Sequence, residues 1–221
     1  MTPPTDASVR PDAVVTALRD AILSRRLPPD TAVTESLVVT TYDVARPTAR
    51  IAIDRLVADG LLAREPHHAA RVRRLDRDDI EDLFISRAAI EAAAVELLAA
   101  TAAVPAAASA ANQELLDLAD DALYASSDLA FHRALVHGTS SVRLPRLHDL
   151  LMGEIELGIG QVEAHGLRSA DEVAADHRSI LDAIAVGDVE RAGRLARGHV
   201  LASRDRLVAH YDSAHDPSPR K

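Results

Sequence analysis

Apolar positions recur at helical spacing along almost the whole chain, broken by a short stretch that alternates as strands do. A first helix opens at Pro11, a residue suited to the first helical position, and carries Val14, Val15, Leu18 and Ile22. The run Leu27-Pro28-Pro29-Asp30 stops it. Thr34 caps a short second helix to about residue 41, with Leu37 and Val38, and Tyr42-Asp43-Val44 makes a turn. A third helix runs from about 46 to 59, with Ala49, Ile53, Leu56 and Val57 on one face. Pro47 falls in its first turn, where a missing N–H is no loss, and Gly60 ends it. Two short strands, 61–65 and 70–74, then flank Pro66-His67-His68-Ala69 as a wing.

From residue 76 onward only helical periodicity remains. It predicts helices at about 77–100, 106–122, 127–137, 143–164, 169–186 and 188–211, with Pro105, Gly138, Gly166 and Gly187-Asp188 near the breaks. The expected fold is mainly α. A winged helix-turn-helix spans 9–75, an antiparallel all-α bundle spans 76–212, and a disordered tail with Pro217 and Pro219 covers 213–221.

Composition sharpens this picture. Hydrophobic residues make up 48% of the chain but aromatics only 2%, and the Ala/Leu bias behind that difference favours helices. The absence of cysteine excludes disulfides, thiolate catalysis and Cys-ligated zinc. No run approaches the roughly 20 apolar residues that cross a bilayer, and residues 1–10 lack the apolar core of a signal peptide. A cytoplasmic location is expected. The net charge of −9 is unevenly placed: residues 1–75 hold 11 Arg against 9 Asp/Glu, leaving 14 Lys/Arg against 25 Asp/Glu in 76–221. The N-terminal segment is thus positive by 2 and the remainder negative by 11, and a locally basic face is what phosphate contact needs.

Arg46 and Arg50 lie four apart, on the side of the third helix away from its apolar stripe. Such an arginine can take guanine O6 and N7 together or neutralise a phosphate, and Thr48 lies between them. Two arginines alone would equally be a solvated face; the helix-turn-helix-wing order around them favours DNA. The runs Leu18-Arg19-Asp20-Ala21-Ile22-Leu23, Leu27-Pro28-Pro29, Ala45-Arg46-Pro47-Thr48-Ala49-Arg50 and Leu56-Val57-Ala58-Asp59-Gly60-Leu61 together resemble the GntR family of regulators over residues 11–74. The resemblance implies a homodimer on a palindromic double-stranded operator, with Arg46, Thr48 and Arg50 on the recognition helix and His67 and His68 at the wing tip. The sequence departs from the pattern at Asp30, where Gly is usual, at Ala45, where a Ser or Thr cap is common, at Pro47-Thr48, at Ile51, and at the glycine-free wing tip.

In the second half, Asp128 and His132 stand one turn apart beside Leu135, His177 on the stripe Val173, Ile180, Ile184, and His199 on the stripe Ala192, Leu195, Ala202. Each falls on the face its helix should bury. One carboxylate and three imidazoles facing a bundle interior suit a divalent ion such as Zn, Ni or Mn, whereas each histidine alone would more simply be a hydrogen-bonded core residue. The segments 78–91, 128–135 and 176–184 are similar to the marked segments of the FCD (FadR C-terminal domain) class. That resemblance implies a metal held by Asp128, His132, His177 and His199 and a small organic-acid effector. Arg87 also lies on an apolar stripe, so it pairs either with Glu91, one turn on, or with the effector carboxylate. His148 is a further candidate for the pocket, and the loop Gly138-Thr139-Ser140-Ser141 lacks the Asn-Pro often seen in this class.

The function expected is a ligand-responsive transcription regulator, a repressor rather than an enzyme. A metal-dependent hydrolase and a regulator that senses the metal itself are the alternatives. No general base is evident for the first; the second shares every site residue.

Overall fold

The computed structural model describes residues 11–118, 124–161 and 168–215, and the chain divides into two compact units between Arg74 and Leu75. The N-terminal unit runs α1 (Pro11–Leu23), β1 (Ala32–Val33), α2 (Glu35–Tyr42), α3 (Arg46–Ala58), β2 (Leu62–Ala63) and β3 (Ala70–Val72). Its core sets Val14, Leu18, Ala21 and Ile22 of α1 against Ala49, Ala52, Ile53 and Leu56 of α3. Each large aliphatic side chain buried there contributes about 1.5–3 kcal/mol. Ala52, not Val57, completes the α3 stripe, and Leu37 faces outward while Val38 is buried.

Local chemistry sets the turns. The Thr34 hydroxyl accepts the Leu37 N–H at 3.1 Å and caps α2. Asp43, in the left-handed region at φ 49°, turns the chain into α3, and Asp bears that conformation better than most residues. Ala45 gives α3 no side-chain cap. Gly60, at φ 75°, allows the Leu61 N–H to reach Leu56 O at 3.0 Å and the Gly60 N–H to reach Val57 O at 3.2 Å, a Schellman closure that favours glycine.

The sheet is antiparallel in the order β1-β3-β2, with Ala32 opposite Arg71 and Leu62 opposite Val72. The strands are shorter than the 61–65 and 70–74 expected, because Pro66 and a left-handed His67 (φ 65°) end the ladder. β1 was not predicted: two residues between the Pro28-Pro29 turn and the Thr34 cap are too few to show alternation.

The C-terminal unit comprises α4 (Arg77–Ala99), α5 (Ala106–Leu116), α6 (Tyr124–His137), α7 (Leu144–Gln161), α8 (Ala170–Ala185) and α9 (Val189–His215). Reciprocal capping boxes start α4 (Asp76 with Asp79) and α8 (Ser169 with Glu172). α4 packs along α9, and the core gathers Val95, Leu98, Phe131, Leu135, Ile180 and Ile184 with the small Ala192 and Ala196. At Gly138 a side chain would overlap the Pro105 ring, so the end of α6 closes tightly on the start of α5.

Three boundaries differ from the sequence reading. α5 ends at Leu116 rather than 122, although Leu118 still packs against Leu115, Val173 and Ala174; residues 119–123 lie outside those described. α6 begins at Tyr124, before the 127 expected. α9 continues through His215, so Ser213 and Ala214 are helical where a tail was expected. Arg77 Nε holds Asp212 Oδ1 at 3.2 Å, and the Ser213 hydroxyl donates to His210 O at 2.8 Å. Residues 162–164 and 216–221 of the expected elements also lie outside the described residues.

A candidate metal centre in the helical unit

α6, α8 and α9 each turn polar groups into the interior of the helical unit. Asp128 and His132 stand one turn apart on α6, His177 lies between Val173 and Ile180 on α8, and His199 follows Ala196 on α9. The three histidines are buried and Asp128 is 16% exposed. One ligand atom from each of the four lies within 4.8 Å of the others. Asp128 Oδ1 is 3.5 Å from His132 Nε2, 3.3 Å from His177 Nε2 and 4.0 Å from His199 Nε2. Bonds of about 2.0–2.2 Å to a tetrahedral ion set neighbouring ligand atoms roughly 3.3–3.5 Å apart. Two of the three spacings meet that, and the third needs a shift of about half an ångström.

The arrangement leaves unmet bonding capacity. Among the described residues, Nε2 of His132 and of His177 are fully buried and complete no hydrogen bond, each facing Asp128 Oδ1 at 3.5 and 3.3 Å, and a buried polar atom left so costs about 1–3 kcal/mol. A cation among them would engage both. Imidazole and carboxylate donors suit Zn, Ni or Mn, so the residues present fit a divalent ion.

Around this cluster lies a set of groups the sequence reading only partly found. Glu91, 1% exposed, accepts from Arg87 Nε at 2.6 Å and lies 3.0 Å from His148 Nε2, both through Oε1. Its Oε2 is 2.7 Å from His132 Nδ1, though too far out of line to complete a hydrogen bond. His199 Nδ1 lies 3.3 Å from Asp176 Oδ2, which Arg168 Nη1 also reaches at 2.5 Å. His177 has no carboxylate on Nδ1; its ring stacks on Phe131 at 3.6 Å and 7°. Arg87 therefore makes the ion pair with Glu91 and lies 5.6 Å from the centre of the Phe84 ring, while its buried Nη2 has no hydrogen-bond partner among the described residues. His148, at 0% exposure, belongs to this network. Glu91 was legible only as Arg87's neighbour, and Asp176 as the residue before His177; nothing in the spacing showed which histidine either would face.

The electrostatics favour a cation. Burial would raise the Asp128 and Glu91 carboxyls, but His132 and His177 around the first, and Arg87 and His132 around the second, outweigh it and hold both well below the usual carboxylate range. Burial pushes His177 down to about 3 and lowers His199, so both remain neutral with a free lone pair. Burial also opposes the charge on His132, yet Glu91 and Asp128 on either side raise it. A proton there occupies the position an ion would take.

In the N-terminal unit, Arg46 is exposed at the start of α3 and Thr48 is half-buried. Arg50 is exposed and bonded through Nε to Glu35 Oε1 at 2.7 Å. His67 and His68 are exposed at the wing tip, where His68 Nδ1 lies 3.0 Å from Pro66 O. Asp30 occupies the left-handed region, φ 66°, and binds Arg74 Nη2 at 2.7 Å. The residue that departs from the usual glycine thus sits in a conformation glycine would adopt freely. Among the described residues, no helix is long and apolar enough to cross a membrane.

Comparison with known proteins places both units. Residues 11–72 match the family described as bacterial regulatory proteins, gntR family, and residues 81–202 match the FCD domain. The chain is 28% identical over 197 residues, 86% of each chain, to a protein of Paenarthrobacter nicotinovorans described as "Probable D-xylose utilization operon transcriptional repressor". A GntR transcriptional regulator structure from Rhodococcus sp. RHA1 superposes with a TM-score of 0.72 at 27% identity, covering 90% of this chain and 97% of that one. E. coli McbR/YncC shares the fold, with a TM-score of 0.69 at 17% identity over 91% and 98% of the two chains. The chain belongs to the GntR family of bacterial regulatory proteins, a DNA-binding transcriptional regulator whose second unit is an FCD domain.

Proposed function

We propose that this regulator is a cytoplasmic repressor whose hold on a palindromic operator is set by a small carboxylate bound at a divalent metal in the FCD domain. Residues 9–75 read DNA as one half of a homodimer, with Arg46, Thr48 and Arg50 in the major groove and His67 and His68 at the wing. Residues 76–212 sense the ligand. Asp128, His132, His177 and His199 hold the metal, which supplies a Lewis-acidic anchor for a carboxylate oxygen. Arg87 Nη2, buried and without a hydrogen-bond partner among the described residues while Nε stays on Glu91, offers a second contact to the acid. The relative described as a repressor supports the sign of regulation.

The observation that carries this reading is the convergence of four ligand atoms within 4.8 Å, two of them buried nitrogens that complete no hydrogen bond among the described residues. Control of DNA binding is then a matter of linkage: the acid shifts the regulator only as far as it prefers one conformation of the helical domain over the other. Operator binding by fluorescence anisotropy, with a panel of small mono- and dicarboxylic acids on metal-loaded and chelator-treated protein, tests it. One or more acids should change operator affinity about tenfold, a coupling within the ordinary 1–3 kcal/mol range, only when metal is present. Arg87→Ala should weaken the response; an unchanged effector affinity would make Arg87 purely structural. A response to metal alone would instead assign the ion as the signal.

A further inference from the structure

The three histidines of the centre are held by two kinds of neighbour, a carboxylate or an aromatic face. His132 has a carboxylate, Glu91, at 2.7 Å from Nδ1 on the side away from Asp128. His199 has a carboxylate, Asp176, at 3.3 Å from Nδ1, itself fixed by Arg168. His177 has the face of Phe131 and, among the described residues, no hydrogen-bond partner on Nδ1. An imidazole that gives its Nδ1 proton to an acceptor keeps the lone pair on Nε2, and in both carboxylate-backed histidines Nε2 is the atom turned toward Asp128 Oδ1.

From this geometry we infer that Glu91 and Asp176 are positioning residues of the centre: Asp176, hydrogen-bonded to His199 Nδ1, sets that ring's tautomer and orientation, and the buried Glu91 carboxylate, 2.7 Å from His132 Nδ1, holds the His132 ring electrostatically so that Nε2 faces the metal. The inference rests on the metal reading above and adds two residues that do not themselves reach the ion. Outer carboxylates of this kind typically govern metal affinity by 10–100-fold. Glu91 belongs at the upper end, since its side chain is 1% exposed, whereas that of Asp176 is 45% exposed and competes with water. Glu91 also joins three helices, taking Arg87 from its own α4, His132 from α6 and His148 from α7.

The competing account is that Glu91 exists only to neutralise Arg87, and Asp176 only to pair with Arg168. Substituting Glu91 alone strands the buried arginine and risks misfolding, so the informative variants are the charge-neutral double change Arg87→Met/Glu91→Leu and the single change Asp176→Ala. Zinc affinity is measured on the full chain by competition with a chromophoric chelator, with circular dichroism to confirm the fold. Both variants should bind one zinc per chain about 10–100-fold more weakly than the wild type. In the metal-free protein, imidazole 15N shifts should report His199 protonated at Nδ1, and Asp176→Ala should move that proton toward Nε2. Wild-type zinc affinity in both variants, with the His199 tautomer unmoved, would overturn the inference while leaving the metal centre in place. If the wild type bound no zinc at all, the metal reading would fall, and the His199 tautomer would still decide whether Asp176 sets its proton.

Discussion

His177 concentrates the chemistry of the site in one side chain. It is wholly buried, stacked on Phe131, and pushed by burial to about 3. Its folded value lies below the ordinary histidine value, so between roughly pH 6.5 and 3 the unfolded chain binds a proton that the folded chain refuses, and stability falls as pH falls through that window. His199 acts in the same direction. His132 is raised and acts oppositely, contributing stability below its ordinary value that is lost as pH rises through its folded one. His177 and His199 together oppose His132, and Asp128 and Glu91 reinforce them further down, where their depressed carboxyls must be protonated. The melting temperature of the metal-free protein should therefore be highest near neutrality and decline steadily from pH 6.5 toward 4. A flat profile would mean His177 is not held neutral. Glu91→Ala, which leaves Arg87 buried and uncompensated, should cost about 3–5 kcal/mol in a denaturant titration.

The convergence of Asp128, His132, His177 and His199 was legible in the sequence because helical spacing places each on a face that packing must bury. Their outer partners were not, because periodicity tells which way a side chain points and not what another helix brings to meet it. Arg87 shows the limit: its burial was evident, both candidate partners were foreseen, and only the coordinates separate Nε on Glu91 from the unpartnered Nη2.

Single contacts govern individual elements. Removing the α2 cap with Thr34→Ala takes away the acceptor for the Leu37 N–H and should cost about 1 kcal/mol by thermal or denaturant unfolding. Gly138→Ala pushes a methyl into Pro105 at the junction of α5 and α6, and overpacking of that kind costs about 1–3 kcal/mol. On α3, the exposed pair of Arg50 with Glu35 is weak in water, so Arg50 can leave it for a phosphate or a base edge. Arg46→Ala and Arg50→Ala should each weaken operator binding; a residue that contacts phosphate should also lower the slope of log affinity against log salt by about 1. Elements with strong periodicity, such as α3, α4 and α8, were read from the sequence almost to the residue. The two-residue β1 depends on pairing that no local pattern encodes.

Over the whole molecule, charge and chemistry divide with the fold. The segment that carries the gntR-family match is net positive and the remainder strongly negative, the arrangement expected when one part must meet phosphate. In the function proposed above the helical domain of this GntR regulator is built around a metal, and elemental analysis of freshly purified protein beside His177→Ala is the decisive test. About one equivalent of a divalent metal per chain, lost in the variant, is the result expected of a centre that needs all three imidazoles. No metal in either protein, even after incubation with Zn, Ni or Mn, would contradict it and leave the three histidines as core residues of a domain that senses by other means.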